Sequence, residues 1–177
     1  MKIKILLFII YLILFSFNSI AQNSERKFKI HTLAFYNLEN LFDTINDVNK
    51  NDEASPIMEI KFNRSGIYKQ KIANMAKVIS EIGYDVTNRP PTIVGICEVE
   101  NRKVVEDLIS DEKLKNYNYG IVHYESPDDR GIDVGLIFNK DVFKVKNSNS
   151  HDVFITGNNS SKRRNTRDQL VVSGLLD

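Results

Sequence analysis

Residues 91–101, PTIVGICEVEN, join an apolar run to two glutamates that are separated by a single valine. The run from Thr92 to Cys97 is rich in β-branched residues and predicts a core strand that is buried on both faces. Glu98 and Glu100 follow directly at its end. Because a carboxylate next to a buried strand is costly unless it has a partner, this pair either caps the strand or takes part in chemistry there.

Strand and helix patterns alternate on both sides of this stretch. Residues 28–38 carry the β-branched and aromatic residues of a strand. Apolar residues at helical spacing follow Ser65, which predicts a helix that Ser65 caps and Gly83 ends. Asn101 is placed to cap a second, shorter helix. Alternating strands and helices predict a layered α/β fold.

The second half of the chain predicts further strands, at residues 117–124, 132–138, 141–148 and 166–176. We expect the strand at 141–148 to pair antiparallel with the strand at 132–138, across a turn at Asn139 and Lys140. Residues 43–64 mix acids, asparagines and one proline with weak periodicity, so they predict a long loop. Loops of this length are usually either functional or disordered.

The N-terminal end has the pattern of a secretory signal peptide, predicted at residues 1–21. Lys2 and Lys4 form a charged start, an unbroken apolar run extends from Ile5 to Phe15, and Ser19-Ile20-Ala21 is a small-x-small cleavage site. The alternative is a retained membrane anchor, for which the apolar run is short. The pattern predicts a secreted or periplasmic protein that contacts the membrane only transiently, through the signal peptide.

Composition and charge narrow the functional classes. The chain has 177 residues, of which 42% are hydrophobic and 27% charged, as in an ordinary globular domain. Cleavage after Ala21 removes two of the 24 Lys and Arg, which leaves 22 against 23 Asp and Glu, a net charge of −1. Such a domain has no long-range field that would gather nucleic acid, so any such binding must be local. The single cysteine, Cys97, cannot form an intramolecular disulfide and is interpreted as a small buried hydrophobe.

Polar residues collect at four predicted strand ends. They are YNLEN at 36–40, CEVEN at 97–101, DDRGID at 128–133 and RRNTRD at 163–168. Carboxylate and amide oxygens suit Mg²⁺ or Ca²⁺, and guanidinium groups beside them suit phosphate. A single glutamate at a strand end is more often solvated or capping. The joint occurrence of the four segments favours one site, because strand ends and loops converge in α/β folds.

Several of these motifs, in this order, resemble the endonuclease/exonuclease/phosphatase superfamily. They are YNLENLFDT, the KIANMAKVI helix, IVGICEVEN, YGIVHYESPDDRGIDVGLIF and TRDQLVV. The superfamily includes deoxyribonuclease-like and exonuclease III-like nucleases, inositol phosphatases and bacterial sphingomyelinases, and the resemblance is to its secreted bacterial branch. It implies a two-sheet β-sandwich flanked by helices, in four layers α/β/β/α, of which residues 22–177 would form the N-terminal part.

The resemblance also implies roles for individual residues in metal binding. Glu98 stands where the family has its principal Mg²⁺ ligand, with Mn²⁺ or Ca²⁺ as possible substitutes. Asn37 matches the metal-proximal residue that orients phosphate and is expected to be catalytic. Glu39 stands where relatives often have an aspartate, so a water-mediated role at the metal is expected. Glu100 is expected to support the site or the entry into the helix.

Further implied roles concern the phosphate of the substrate. Arg130 and Asp133 match the family segment that faces the scissile phosphate, Arg130 as a phosphate ligand and Asp133 as a catalytic residue. Arg167 and Asp168 match a Thr-Arg-Asp strand start, from which Arg167 would steady substrate phosphate. The tyrosine that exonuclease III-like members use nearby is absent from this segment.

Other family motifs are absent from the sequence. A Gly-Asp-x-Asn motif, a histidine on an intervening strand and a C-terminal Ser-Asp-His motif do not occur, and the three histidines present are interpreted as structural or solvated. We therefore expect the N-terminal part of a longer hydrolase, incomplete at its C-terminus, or a shortened product that cannot turn over.

The implied activity is Mg²⁺-dependent cleavage of phosphodiester bonds by a nuclease. DNA or RNA is the expected substrate, and no stable protein partner is implied. The alternatives are a phosphatase, a sphingomyelinase-like lipid phosphodiesterase, and an inactive fragment or binding module.

Overall fold

The structure, a computed structural model, describes residues 28–48, 50, 53, 55–156 and 163–177. The signal peptide predicted at residues 1–21 lies outside these ranges. No helix in the described part of the chain is both long enough and apolar enough to span a membrane.

A four-stranded mixed sheet forms the centre of the fold. Its strands are β1 (Leu33–Leu41), β2 (Ile93–Val99), β3 (Tyr119–His123) and β4 (Asp133–Asn139), in the order β1-β2-β4-β3. Strand β1 is parallel to β2, whereas β4 runs antiparallel to both of its neighbours. The apolar run within residues 91–101 therefore forms an inner strand, β2, as predicted.

The helices lie between the strands in the first part of the chain. They are α1 (Pro56–Glu59), α2 (Arg64–Glu81), α3 (Tyr84–Thr87) and α4 (Arg102–Ile109), followed by a 3₁₀ turn at Lys115–Tyr117. The predicted cap of α4 is confirmed, because Oδ1 of Asn101 accepts a hydrogen bond from the backbone N of Val104 at 3.1 Å. Gly83 follows α2 with a φ of +68°, which is also as predicted.

The predicted cap of α2 is wrong. Ser65 lies inside the first turn, because the helix begins at Arg64 and its N-cap residue is Asn63. Asn63 has a left-handed φ of +55°, a conformation that asparagine tolerates better than most residues. The long predicted loop at 43–64 likewise contains helix α1.

Helices α2 and α4 cover one face of the first sheet and form the main core with it. The residues with no exposed surface there include Ala76 and Ile79 of α2, Val104 and Leu108 of α4, and Val94 and Ile96 of β2. Complete burial of a Val, Leu or Ile side chain contributes about 1.5–3 kcal/mol. Strand β2 is therefore fixed by tight packing up to Ile96, whereas Cys97, which is predicted to be buried, is only partly buried.

A second sheet crosses the other face. It consists of β5 (Phe143–His151) paired antiparallel with β8 (Gln169–Leu176). Strands β6 (Ile155–Thr156) and β7 (Arg163–Arg164) form a separate short antiparallel ribbon. Leu170 and Val172 of β8 line a groove opposite Phe35, Gly95 and Leu136 of the first sheet. The mixed α/β class with two sheets and helices is confirmed.

One predicted strand pairing is wrong. The strand predicted at 141–148 was expected to pair with the strand at 132–138, but β5 pairs with β8. Both edges of β4 are already hydrogen-bonded, to β2 on one side and to β3 on the other. Because β4 has no free edge, the chain leaves the first sheet after the turn at Asn139.

Candidate active site

Glu98 lies at an irregularity near the end of β2. The pairing of β2 with β4 shifts register between Cys97 and Val99, so Glu98 falls outside the regular ladder. Its φ of +62° is in the left-handed region, which costs a non-glycine residue about 1–3 kcal/mol. The Glu98 side chain keeps 18% of its surface exposed. Such a strained, partly exposed acid at the end of a rigid strand is typical of a functional site.

A matching irregularity interrupts β1 next to it. The register between β1 and β2 shifts between Asn37 and Leu41, and Glu39 and Asn40 have φ values of +50° and +56°. Oδ1 of Asn37 accepts a hydrogen bond from the backbone N of Glu39 at 2.7 Å. Asn37 is itself paired with Cys97, the residue before Glu98. Three residues predicted from the sequence therefore lie at neighbouring bulges of two parallel strands.

Lys71 of α2 binds the irregular segment of β1. Its Nζ donates to the backbone oxygens of Glu39 at 2.6 Å and Asn40 at 3.0 Å. Burial lowers the pKa of Lys71, while the carboxylates of Glu39 and Glu98 act in the opposite direction. The ammonium group is thus close enough to both carboxylates to sense their charge. We call Asn37, Glu39, Lys71, Glu98 and Arg167 together the Glu98 site.

Lys71 was missed by the sequence analysis. Lysine is usually solvated on a helix surface, so the residue type gives no signal. Its helical position does, because Tyr68 and Met75, three residues before and four residues after it, pack against the core. A lysine in such a row lies at the edge of the buried face.

Of the two arginines predicted to hold phosphate, Arg167 lies beside Glu98 and Arg130 is bonded to Asp128. Nη1 of Arg167 is 3.6 Å from Oε1 of Glu98. Arg130 forms two hydrogen bonds with the buried carboxylate of Asp128, Nε to Oδ1 at 3.1 Å and Nη2 to Oδ2 at 3.2 Å. Hydrogen bonding to Asp128 is the main cause that raises the pKa of Arg130, and the charge of Glu98 acts in the same direction.

Asp128 is a site residue that the sequence analysis did not single out. Burial would raise the pKa of its carboxyl, but the hydrogen bonds and charge of Arg130, with the charge of Arg167, hold the pKa below its usual range. Asp128 and Arg130 also border a cleft of about 460 Å³ whose other side includes Arg164 and Thr166. Asp128 therefore holds Arg130 in a defined orientation at the edge of this cleft.

Asp133 lies in a separate, buried group that we call the Asp133 network, formed by His123, Ser126 and Asp133. Only 1% of the Asp133 surface is exposed. Its Oδ1 accepts from the backbone N of Ser126 at 2.8 Å and from Oγ of Ser126 at 2.7 Å, and Nε2 of His123 lies 3.1 Å from its Oδ2. Within the described part of the chain, all side-chain hydrogen bonds of Asp133 are to these two residues. This placement favours a structural role for Asp133 over the predicted catalytic one.

Two members of the Asp133 network, His123 and Asp133, also form a group with Glu125 that could hold a metal ion. His123, Glu125 and Asp133 each offer one ligand atom, and these atoms lie within 4.8 Å of one another. The group already has a cationic neighbour, because the ammonium of Lys50 is bonded to Glu125. Burial alone would lower the pKa of Lys50, but the hydrogen bond and charge of Glu125, with Asp133 and Glu100, raise it. Lys50 therefore stays protonated and supplies a positive charge here.

Glu100, the second acid of the opening stretch, does not point to solvent. Only 2% of its surface is exposed, and its Oε2 accepts from the backbone N of Asp43 at 2.7 Å. Its own backbone N donates to the oxygen of Leu41 at 3.0 Å. Glu100 thus ties the segment after β1 to the end of β2, which agrees with the predicted supporting role.

Comparisons with known proteins relate the chain to one protein family. The model of a family described as Endonuclease/Exonuclease/phosphatase family matches residues 32–177, whereas no curated protein matches the chain. One similar solved structure is the endonuclease/exonuclease/phosphatase from Bacteroides vulgatus, with 17% identity, 67% of this chain and 34% of that chain covered, and a TM-score of 0.36. Another is ANGEL2, a 2′,3′-cyclic phosphatase, with 12% identity, coverage of 71% and 31%, and a TM-score of 0.40. The chain spans about a third of the length of these two structures.

Proposed function

Since the chain belongs to the endonuclease/exonuclease/phosphatase family, we propose that it contributes to a metal-dependent phosphoesterase whose metal is held at Glu98. One observation carries the choice of this site. Glu98 and Glu39 lie at adjacent bulges of parallel strands, with Arg167 3.6 Å from the Glu98 carboxylate. Acidic ligands next to a guanidinium are the combination that a phosphoester bound to a divalent cation requires.

The Glu98 site has donor atoms that fit a hard divalent cation. Among the described residues, Arg167 is the ion-pair partner of Glu98, and at 3.6 Å it is too far for a hydrogen bond. The Glu98 carboxylate therefore keeps lone pairs for a metal. Glu39 is exposed, and Oδ1 of Asn37 retains a lone pair beside the one that accepts from Glu39. These three oxygen donors suit Mg²⁺, and Mn²⁺ or Ca²⁺ are chemically related alternatives.

The two arginines would bind the substrate phosphate. Arg167 lies directly beside Glu98, and Arg130 is held rigidly by its two hydrogen bonds to Asp128. A guanidinium that is already oriented loses less conformational freedom when phosphate binds. A bound Mg²⁺ would polarise the phosphoryl oxygen and stabilise charge on the leaving oxygen.

We propose a nuclease acting on DNA or RNA as the most specific form of this function. The near-neutral charge of the sequence requires local recognition through the metal and these arginines. A phosphatase or lipid phosphodiesterase would use the same site, so the substrate class depends on the loops. Secretion or periplasmic location through residues 1–21 remains part of the proposal.

Hydrolysis assays with a substrate panel test the proposal. Plasmid DNA, RNA, sphingomyelin and p-nitrophenyl phosphate would be incubated with a full-length form that carries these residues in the presence of Mg²⁺, and with EDTA as a control. We expect EDTA-sensitive cleavage of nucleic acid. Preferred cleavage of sphingomyelin or of the monoester would replace the nuclease assignment, and absence of cleavage of every substrate would overturn the phosphoesterase proposal for this chain.

A further inference from the structure

The backbone at Glu39 is strained and needs stabilising contacts from outside its strand. Glu39 and Asn40 are consecutive non-glycine residues with left-handed φ values of +50° and +56°, a conformation that is unfavourable for L-residues. Strand β1 lies at an edge of its sheet, with β2 as its partner there. The ladder to β2 is interrupted between Asn37 and Leu41, so it does not fix these two residues.

Lys71 stabilises this segment from the helix layer, in addition to two local hydrogen bonds. Oδ1 of Asn37 accepts from the backbone N of Glu39, and the backbone N of Phe42 donates to the oxygen of Asn40. Nζ of Lys71 binds the backbone oxygens of both left-handed residues, at 2.6 Å for Glu39 and 3.0 Å for Asn40. A hydrogen bond from a charged donor is stronger than one between neutral groups. Two such bonds therefore offset part of the cost of the two left-handed residues.

The packing of α2 fixes the position from which Lys71 makes these hydrogen bonds. Lys71 lies on α2, whose Ile72, Ala76 and Ile79 are buried in the main core. The bulge of β1 is thereby tied to the helix layer as well as to its own sheet. The ammonium uses backbone oxygens for these bonds, so the side-chain carboxylate of Glu39 stays available.

We propose that Lys71 is a positioning residue for the Glu98 site. It fixes the left-handed backbone at Glu39 and Asn40, and so presents Asn37 and Glu39 on the same side as Glu98. This inference rests on the proposed metal-binding function of that site.

The direction in which Lys71→Met changes the Mg²⁺ affinity separates this role from a purely electrostatic one. A positive charge beside Glu39 and Glu98 repels a metal cation, so if Lys71 acted only through its charge, Lys71→Met would bind Mg²⁺ more tightly. If Lys71 positions the ligands, the same variant binds Mg²⁺ more weakly. Loss of a group that orients metal ligands typically weakens affinity by about 10–100-fold.

The experiment is a calorimetric titration of Mg²⁺ alone into the wild-type chain and its variants, with urea unfolding of each in parallel. The matched control is Lys69→Met, an exposed lysine on the same helix. We expect Lys71→Met to weaken Mg²⁺ binding about 10–100-fold while Lys69→Met leaves it unchanged. Lys71→Arg, which keeps charge and donors, is expected to restore part of the affinity.

A glycine rescue tests the backbone part of the inference. Asn40→Gly removes the cost of the left-handed conformation at that position, so the double variant Lys71→Met, Asn40→Gly should regain part of the affinity that Lys71→Met loses. Unchanged or tighter Mg²⁺ binding by folded Lys71→Met would overturn the inference about Lys71 alone, since the wild-type chain would still bind. Failure of the wild-type chain to bind Mg²⁺ would instead overturn the proposed function, and the positioning role with it.

Discussion

Replacement of Asp133 tests whether this buried acid holds the structure or reacts with substrate. Its carboxylate accepts three hydrogen bonds, from the backbone N and Oγ of Ser126 and from Nε2 of His123. Asp133→Ala removes both acceptor oxygens, and so all three hydrogen bonds, at once. Oγ of Ser126 keeps an alternative acceptor, the backbone oxygen of Ile132 at 3.1 Å. The backbone N of Ser126 and the imidazole of His123 would be left without a partner.

The expected loss of stability follows from these two groups. A buried polar group without a partner costs about 1–3 kcal/mol, so Asp133→Ala should lower the free energy of unfolding by about 4 kcal/mol. Asp133→Asn should cost only about 1–2 kcal/mol, because its amide oxygen can still accept from Ser126. His123 can meet the amide nitrogen by changing tautomer.

Urea unfolding followed by circular dichroism measures this series. With a slope of about 2 kcal/mol/M, the alanine variant should shift the unfolding midpoint down by about 2 M and the asparagine variant by less than about 1 M. Asp85→Ala, at an exposed aspartate, is the control and should leave the midpoint in place. A loss below about 1 kcal/mol in Asp133→Ala would refute the structural role, and normal stability with lost turnover in Asp133→Asn would favour the catalytic one.

Three further predictions concern stability. Asn101→Ala removes the acceptor for the backbone N of Val104, so the free energy of unfolding in urea should fall by about 1 kcal/mol. Gly83→Ala places a Cβ at a φ of +68° and 2.6 Å from Oγ1 of Thr32, so thermal unfolding should show a loss of at least about 1 kcal/mol. The pKa of Asp128 is held below its ordinary value of 3.8, so the stabilisation that its ionised form provides is present above pH 3.8 and is lost as the pH falls through the folded-state pKa.

Each of these predictions has a clear contrary outcome. An unchanged midpoint for Asn101→Ala would mean that the cap does not stabilise α4. A Gly83→Ala variant as stable as the wild type would show that the backbone or Thr32 relaxes at little cost. For Asp128, the stability difference between wild type and Asp128→Asn should shrink on acidification from about pH 5 to about pH 2. A difference that stays constant over this range would contradict the ionic contribution.

Local sequence signals predicted the elements around the candidate site well. The β-branched run that ends at Cys97 is an inner strand, and Asn101 caps the helix that follows, because strand periodicity and capping depend on nearby residues. The pairing of β5 was not predictable in this way. It depends on which strand edges remain free once β4 has bonded to β2 and β3, and that is a property of the whole sheet.

The geometry of the site was only partly visible in the sequence. Glu98 and Glu39 adopt left-handed backbone conformations, and glutamate gives no cue for them because glycine and asparagine are the usual residues there. Asn40 is the single local hint in this segment. Lys71 and Asp128 are common surface residue types, and their roles depend on neighbours that are distant in sequence or on a turn that closes only in the fold.

Hydrolysis of bis-p-nitrophenyl phosphate as a function of Mg²⁺ concentration tests the central claim most directly. The wild type, Glu98→Gln and the control Glu112→Gln would be compared in a full-length form that carries these residues; Glu112 is an exposed glutamate paired with Lys115. We predict Mg²⁺-dependent hydrolysis by the wild type and the control, and a loss of about 100-fold or more in Glu98→Gln. Undiminished, equally Mg²⁺-dependent hydrolysis by Glu98→Gln would contradict the assignment of Glu98 as the metal ligand.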